Sequence, residues 1–374
     1  AFSQITVNGK VTDQKGNPFY KILVENKNTG KRTSTNKNGI FKIKASEGDI
    51  LILSDFRITF NSEVIVKKDA NINIFIIKKH RDSSGKKSLG KSIYELDVKY
   101  SQFLNSNRLQ GFSQYDSRIE SFQLDTLINW QSAIKKNMKS VAIIVEKEKL
   151  YSVSENMFSI DINNNLKDVY NLCDNQAFVN QPVLGVGTGF IIGLDTMITA
   201  KHVFERHIEN YVIIFGFELN HNSSDILSVI NISEIFYPKI VLENLPELDI
   251  IKFKVDRPFK KPVLKWETSK SLKNGNEIYM IGNPSGLPTK IGVNADILDN
   301  SPFNYFYTSL DSFQGNSGSP IFNIFSNKLI GVLVSGQVDY EFNGNCYETT
   351  LCKYPYCKGE KVIRIENIMK RINN

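Results

Sequence analysis

Short alternations of apolar and polar positions, rich in β-branched residues, recur through the first 78 residues: Ile5–Thr12, Lys21–Asn26, Gly39–Ala45, Asp49–Ser54, Ser62–Val66 and Asn71–Ile77. Gly16-Asn17-Pro18, Asn28-Thr29-Gly30 and Lys37-Asn38-Gly39 supply turn chemistry between several of them. A strand roughly every ten residues, with no helical periodicity, predicts a small antiparallel β-sandwich. Further on the period changes. Leu124, Leu127, Ile128, Ile134 and Met138 recur at helical spacing and predict an amphipathic helix whose apolar stripe packs into a core, just before a strand at Val141–Val145. Beyond Gly185 short apolar strands return, and the tail Val362–Met369 reads as a C-terminal helix on the last domain, with Lys370 and Arg371 suited to its C-terminal end.

Length and composition narrow the picture. A chain of 374 residues argues for two domains or three small ones, and 41% hydrophobic with 23% charged residues is the balance of a chain that buries cores. Its longest apolar runs, such as Ile74-Phe75-Ile76-Ile77, are far short of the roughly 18 residues a bilayer-spanning helix needs. The formal charge of +7 is mild for this length and gives no support to a nucleic-acid partner. Much of it is local: Lys78, Lys79, Arg81, Lys86, Lys87 and Lys91 surround Ser83-Ser84-Gly85 with only Asp82 against them. This composition predicts a solvated basic linker over 79–111, between a sandwich at 1–78 and a second domain at 112–374.

Two features bear on location. The sequence opens Ala1-Phe2-Ser3-Gln4 without an initiator Met, which resembles the remnant of a removed secretory signal; a chain trimmed at a convenient place reads the same way. Cys173 stands apart while Cys346, Cys352 and Cys357 cluster. An even count in an exported chain favours disulfides, one within the cluster and one from Cys173, with the pairing open. The cluster lacks Cys-x-x-Cys spacing and a nearby His, so neither a metal nor any other cofactor is expected. His207 lies five residues after His202, a spacing that does not put two rings on one helical face; it is read, with His80 and His221, as surface or structural.

The chemistry lies in three short signals that follow one another. Met197-Ile198-Thr199-Ala200-Lys201-His202-Val203 ends an apolar strand with an imidazole, Glu247-Leu248-Asp249-Ile250-Ile251 opens a strand with an acid, and Gln314-Gly315-Asn316-Ser317-Gly318-Ser319-Pro320 sets a serine among glycines. A serine nucleophile needs a neutral imidazole to take its proton, and the imidazole needs a carboxylate to fix its tautomer. The developing oxyanion needs converging N–H groups, which glycine permits by admitting unusual φ and close approach. His202, Asp249 and Ser317 supply the three side chains, and the N–H groups of Gly315 and Ser317 supply the hole. Each signal is weak alone; their order, at separations of 47 and 68 residues, is specific.

This constellation resembles the chymotrypsin/trypsin-like serine peptidases, in particular the bacterial branch with Gly-Asn-Ser-Gly-Ser-Pro. The likeness runs from about residue 112 to the C-terminus, faintly before Gly185, where only Tyr115-Asp116-Ser117-Arg118 has the look of an early segment of that branch. It implies two six-stranded β-barrels, with His202 and Asp249 from the first and Ser317 from the second. Val203 and Gly187 stand where many members carry a disulfide beside the histidine, and Asn316 replaces the Asp that trypsin-like zymogens use on activation. The resemblance also suggests a specificity pocket. Asp311, six residues before Ser317, would hold a Lys or Arg side chain with help from Ser312, while Ser335-Gly336 would form the wall and pair with substrate backbone. The competing role for Asp311 is to fix a loop. Val332-Leu333-Val334 lacks the His that a glutamyl preference would use.

The first segment, with Val7-Asn8-Gly9-Lys10-Val11-Thr12-Asp13, Gly16-Asn17-Pro18 and Thr35-Asn36-Lys37-Asn38-Gly39-Ile40-Phe41, resembles the carboxypeptidase regulatory-like domain. Asp55-Phe56-Arg57-Ile58 departs from it where that family has a Gly-Tyr pair. The expectation is therefore an all-β chain: a prealbumin-like β-sandwich followed by a chymotrypsin-like double β-barrel with a few helices. Its function would be that of an exported, monomeric serine endopeptidase whose partner is a protein or peptide substrate. The rivals are a non-catalytic peptidase-like binding protein, a peptidase of glutamyl or other specificity, and a chaperone-protease of the HtrA kind, for which no C-terminal peptide-binding domain follows the barrels.

Overall fold

In the strand Ile40–Ala45 every second residue is buried, so Phe41, Ile43 and Ala45 face inward while Ile40, Lys42 and Lys44 face water. Period-two patterning of this kind gives a half-buried strand its one apolar face. The structure is a computed structural model describing residues 4–12, 16–55, 60–66, 71–75, 117–219, 228–350 and 358–369. The chain divides into two compact units, 1–107 with 126–129 and 108–125 with 130–374.

The first unit is a pair of sheets. Ile5–Thr12 lies between Ile40–Ala45 and Asn71–Phe75, and Leu23–Asn26 and Ile50–Asp55 are flanked by Arg32–Ser34 and Phe60–Ile65. Their inner faces share a core of Val7, Val11, Phe19, Ile22, Val24, Phe41, Ile43, Leu51 and Leu53. Gly9 has a steric reason to be glycine: a Cβ there would enter the Phe41 ring. Two details differ from the sequence expectation. The short strand Arg32–Ser34 carries too few residues to show a period, and Ile5–Thr12 pairs with Asn71–Phe75 in parallel, not antiparallel. The linker expected at 79–111 lies outside the described residues.

The second unit is mostly β, with the double-barrel architecture of the chymotrypsin type. One sheet runs in the order Ile235–Phe236, Tyr211–Phe215, Val141–Glu146, Gly187–Ile191, Thr196–Ala200, Ile250–Val255, Pro238–Leu245, curling around Ile143, Val145, Val212, Ile214 and Ile235. The other runs Glu277–Gly282, Pro320–Asn323, Leu329–Ser335, Glu360–Arg364, Tyr305–Thr308, Lys290–Asp299, and the first of these pairs back onto the last. That return closes six strands into a barrel around Ile278, Met280, Ile297, Phe306, Ile321, Ile330 and Val362. Arg118–Glu120 adds a seventh strand at its side. Only this second sheet is closed; the first is a curled seven-stranded half-barrel.

Two helical expectations are adjusted. The helix near 124–138 begins at Asn129 and ends at Met138, burying Trp130, Ile134 and Met138, while Leu127 is 86% exposed and lies before the helix. At the C-terminus the expected helix is half strand. Glu360–Arg364 pairs with both Tyr305–Thr308 and Leu329–Ser335 before the single turn Ile365–Met369. Val362, Ile363 and Ile365 are buried on either reading, so burial alone did not distinguish strand from helix there. Lys370 and Arg371 lie outside the described residues. Among the described residues no helix is long and apolar enough to cross a membrane.

Candidate active site

Strand register brings the histidine and the acid together. Ala200 faces Ile250 across an antiparallel pair, so the residues just beyond one strand and just before the other become neighbours. His202 sits on the turn Lys201–Val203 and Asp249 directly before Ile250. Asp249 is in the left-handed region at φ 57°, a conformation that Asp and Asn tolerate better than other side chains. Its backbone carbonyl accepts from Lys201 N at 2.9 Å. One carboxylate oxygen then accepts from His202 N at 3.1 Å and the other lies 2.6 Å from His202 Nδ1. The far ring nitrogen, Nε2, is 2.7 Å from Ser317 Oγ. The three residues that the sequence singled out thus form one continuous hydrogen-bonded chain.

Ser317 comes from the other barrel, and Thr188 clamps its loop in place. Thr188 N donates to Ser317 O at 2.9 Å, and its hydroxyl donates to Gly315 O at 2.8 Å. Gly318 has φ +86°, and a Cβ there would collide with Thr188 O and Thr199 Oγ1 and come within 2.9 Å of Ala200 N. Those contacts are mostly backbone and cannot give way. Gly318→Ala is therefore expected to push the serine loop off the first barrel and lower kcat about a hundredfold or more, the cost typical of a displacement of order 1 Å. Steady-state kinetics at saturating peptide would read this. Gly315, at φ +87°, packs closely on the turn 283–286, where a Cβ would lie 2.6 Å from Asn283 O. Neither the Gly315 N–H nor the Ser317 N–H donates to another described residue. Both are available for an oxyanion.

One departure noted in the sequence has a local explanation. Val203 fills the space beside Gly187, where an added Cβ would come within 2.7 Å of Val203 Cγ2. Asn316 is fully buried, and its carboxamide makes no hydrogen bond to another described residue.

A cleft of about 370 Å³ opens from His202, Asp249 and Ser317 and is walled by Ser312, Phe313, Gln314, residues 333–337 and Asp339. Ser312, Ser335 and Gly336 line it as expected. Asp311 does not. It is 2% exposed, and its Oδ2 accepts from the N–H of Ser117 at 2.8 Å and from the Ser117 hydroxyl. These contacts are those of the loop-fixing role that the sequence held as the alternative for Asp311. Asp311→Ala would leave both Ser117 donors without this acceptor and is expected to cost about 1–3 kcal/mol of stability. A fall of several degrees in Tm with the preference for Lys or Arg retained would bear this out.

Two acids missed in the sequence stand near the cleft. Asp339 lines it and accepts from Gln314 N at 2.7 Å; burial pushes its carboxyl up to about 6 against the opposing pull of that N–H and of Arg118. Glu360, fully buried, accepts from Ser312 Oγ at 2.6 Å and is pushed up to about 8, chiefly by desolvation. The segment carrying Asp339 is held further by Tyr340, whose hydroxyl lies 2.9 Å from Ser285 Oγ and whose ring packs on Phe313. The disulfide Cys173–Cys346 ties the hairpin Tyr340–Phe342/Tyr347–Thr349 to the loop after Tyr170. Cys352 and Cys357 lie outside the described residues, as do His80 and His221. His207 is exposed beside Glu209. No group of three or more His, Cys, Asp or Glu among the described residues could hold a metal ion.

Residues 187–332, a span containing His202, Asp249 and Ser317, match the family model of the trypsin-like peptidase domain. Among solved structures the chain is similar to the serine endoprotease from Yersinia pestis, at 15% identity and a TM-score of 0.41, with 66% of each chain covered. It is also similar to the active form of the Rv3671c protease from M. tuberculosis, at 16% identity and a TM-score of 0.41, over 71% of this chain and 93% of that one. The chain thus spans just under two thirds of the Yersinia protein in that comparison.

Proposed function

We propose that this protein is an exported serine endopeptidase that cleaves protein or peptide substrates after Lys or Arg. The observation that carries the reading is the connected geometry of Asp249, His202 and Ser317, at 2.6 Å and 2.7 Å, with two N–H groups open beside the serine. His202 takes the Ser317 proton as Oγ attacks the scissile carbonyl, and the negative charge that develops on the carbonyl oxygen falls to the N–H groups of Gly315 and Ser317. His202 then returns the proton to the leaving amine. Water, deprotonated by the same imidazole, resolves the acyl-enzyme. The cleft that continues from Ser317 carries Asp339 in its lining, which favours a cationic side chain before the scissile bond.

Residues 1–78 are assigned as a carboxypeptidase regulatory-like module, 79–111 as a linker and 112–374 as the peptidase. The paired sheets of the first unit support the first assignment. A long-range disulfide supports an oxidising compartment, hence export. The decisive test is a fluorophosphonate probe on the folded protein. Labelling at Ser317 is expected; a protein that stays unlabelled would instead favour a peptidase-shaped binding protein, and labelling that survives Ser317→Ala would place the nucleophile elsewhere.

A further inference from the structure

Beneath the wall of the cleft lies a carboxyl group that the mechanism does not use. Glu360 opens the strand Glu360–Arg364 and is wholly enclosed. Its Oε2 accepts from Ser312 Oγ at 2.6 Å and its Oε1 from Gln337 N at 3.2 Å. The group rests against Gly336 so closely that a Cβ on that glycine would overlap its carboxyl oxygens. Ser312, Gly336 and Gln337 are themselves cleft-lining residues. A side chain entering past Ser317 therefore meets Ser312, Gly336 and Gln337, the residues that cover the carboxyl.

Burying an acid there is costly. The groups that meet Glu360 are Ser312 from the serine loop, Gln337 from the segment after Leu329–Ser335, and the carboxylates of Asp339 and Asp311. The two hydrogen bonds favour the ionised form, while desolvation and both carboxylates oppose it and push the carboxyl up to about 8. A well-packed apolar residue would serve a purely structural role at least as well. No cation among the described residues meets Glu360, and substrate could bring one.

We propose that Glu360, in place of Asp311, is the specificity-determining residue of the cleft: ionised it receives the ammonium or guanidinium of a Lys or Arg side chain, and protonated it admits an uncharged one. This rests on the peptidase reading above. It makes selectivity depend on pH in a stated direction. An uncharged side chain does not require the ionised carboxyl, whereas a cationic one does, so preference for the cation grows as Glu360 loses its proton. The titration of His202 affects both substrates alike and cancels in their ratio.

The experiment compares kcat/KM, on the full chain, for two peptides differing only in Lys or norleucine before the scissile bond. The Lys/norleucine ratio is expected to rise by about tenfold per pH unit from 6 toward 8 and then to level off. Glu360→Gln is expected to lower the ratio about tenfold or more at pH 8 and to flatten its pH dependence. A wild-type ratio that does not change with pH, or a Glu360→Gln ratio that tracks wild type, overturns the assignment. Should that variant fail to fold, the midpoint of the wild-type rise decides: near 8 it belongs to Glu360, and near 6 it belongs to Asp339 and overturns the assignment. Absence of fluorophosphonate labelling at Ser317 sinks the peptidase reading and this inference with it; labelling with a flat ratio sinks only the inference.

Discussion

Ser317→Ala is expected to abolish fluorophosphonate labelling and to lower kcat by about 10⁶-fold, leaving roughly the 10³–10⁴ over water that binding and oxyanion stabilisation alone provide. The substitution removes one oxygen from a loop whose position does not depend on it. The loop is held by the Thr188 N–H on Ser317 O, by the Thr188 hydroxyl on Gly315 O, and by Gly318 N on Leu333 O at 2.8 Å. These are backbone contacts that alanine preserves, so the variant keeps its fold and its two open N–H groups. His202→Ala should cost about as much, because nucleophile and base act as one unit, and the double variant should be scarcely worse than either single one. That non-additivity separates a shared catalytic step from two independent contributions to binding. Rates measured at saturating peptide, with Tm as a control for folding, would check it.

What makes the site rigid is the way two separately folded sheets meet at one residue. Thr188 lies on the strand Gly187–Ile191, whose neighbour Thr196–Ala200 leads into the turn of His202. The same Thr188 binds the serine loop and, through its hydroxyl oxygen, receives Asn283 N at 3.0 Å from the second barrel. Thr199, also buried, donates to Thr188 O at 2.6 Å and braces that point from the next strand. Base and nucleophile are thus positioned by one shared pair of strands, which keeps the 2.7 Å separation independent of side-chain flexibility on the exposed rim.

The sequence was most legible where chemistry is written locally. His202, Asp249 and Ser317 each sit at a strand end inside a short motif, and their mutual approach follows from the register Ala200↔Ile250 and the glycines about Ser317. It was least legible where a residue's role depends on distant chain. Glu360 lies in Lys358-Gly359-Glu360-Lys361, which reads as a solvated charge cluster, and only the strand pairings on both sides bury it. Asp311 misled in the opposite sense. Its spacing from Ser317 suggested a pocket floor, but its partner Ser117 is 194 residues away and invisible to any local pattern. Thr188 had the same disadvantage, since a threonine in a β-strand needs no special explanation until its hydroxyl is seen to span the barrels.

Asp249→Asn isolates the charge from the architecture and is expected to lower kcat by about 10⁴-fold with little loss of stability. Asn tolerates the left-handed backbone that Asp249 adopts at φ 57°, so the strand Ile250–Val255 and the Lys201 contact should survive. The carboxylate now serves two donors at once, His202 N at 3.1 Å and His202 Nδ1–H at 2.6 Å. A carboxamide has only one acceptor oxygen. If that oxygen keeps the His202 N–H, the amide nitrogen faces Nδ1 and, being a donor, requires Nδ1 to be bare. The ring proton then sits on Nε2, pointing at Ser317 Oγ across 2.7 Å, and the imidazole cannot take the proton it is there to take. Loss of the negative charge also removes what stabilises the imidazolium as the oxyanion forms. The effect should therefore fall on kcat, with KM little changed because both carboxylate oxygens of Asp249 are engaged by His202. A drop confined to KM, or an Asp249→Asn enzyme within tenfold of wild type, would mean that the carboxylate merely props the turn Lys201–Val203 and that some other group orients the imidazole.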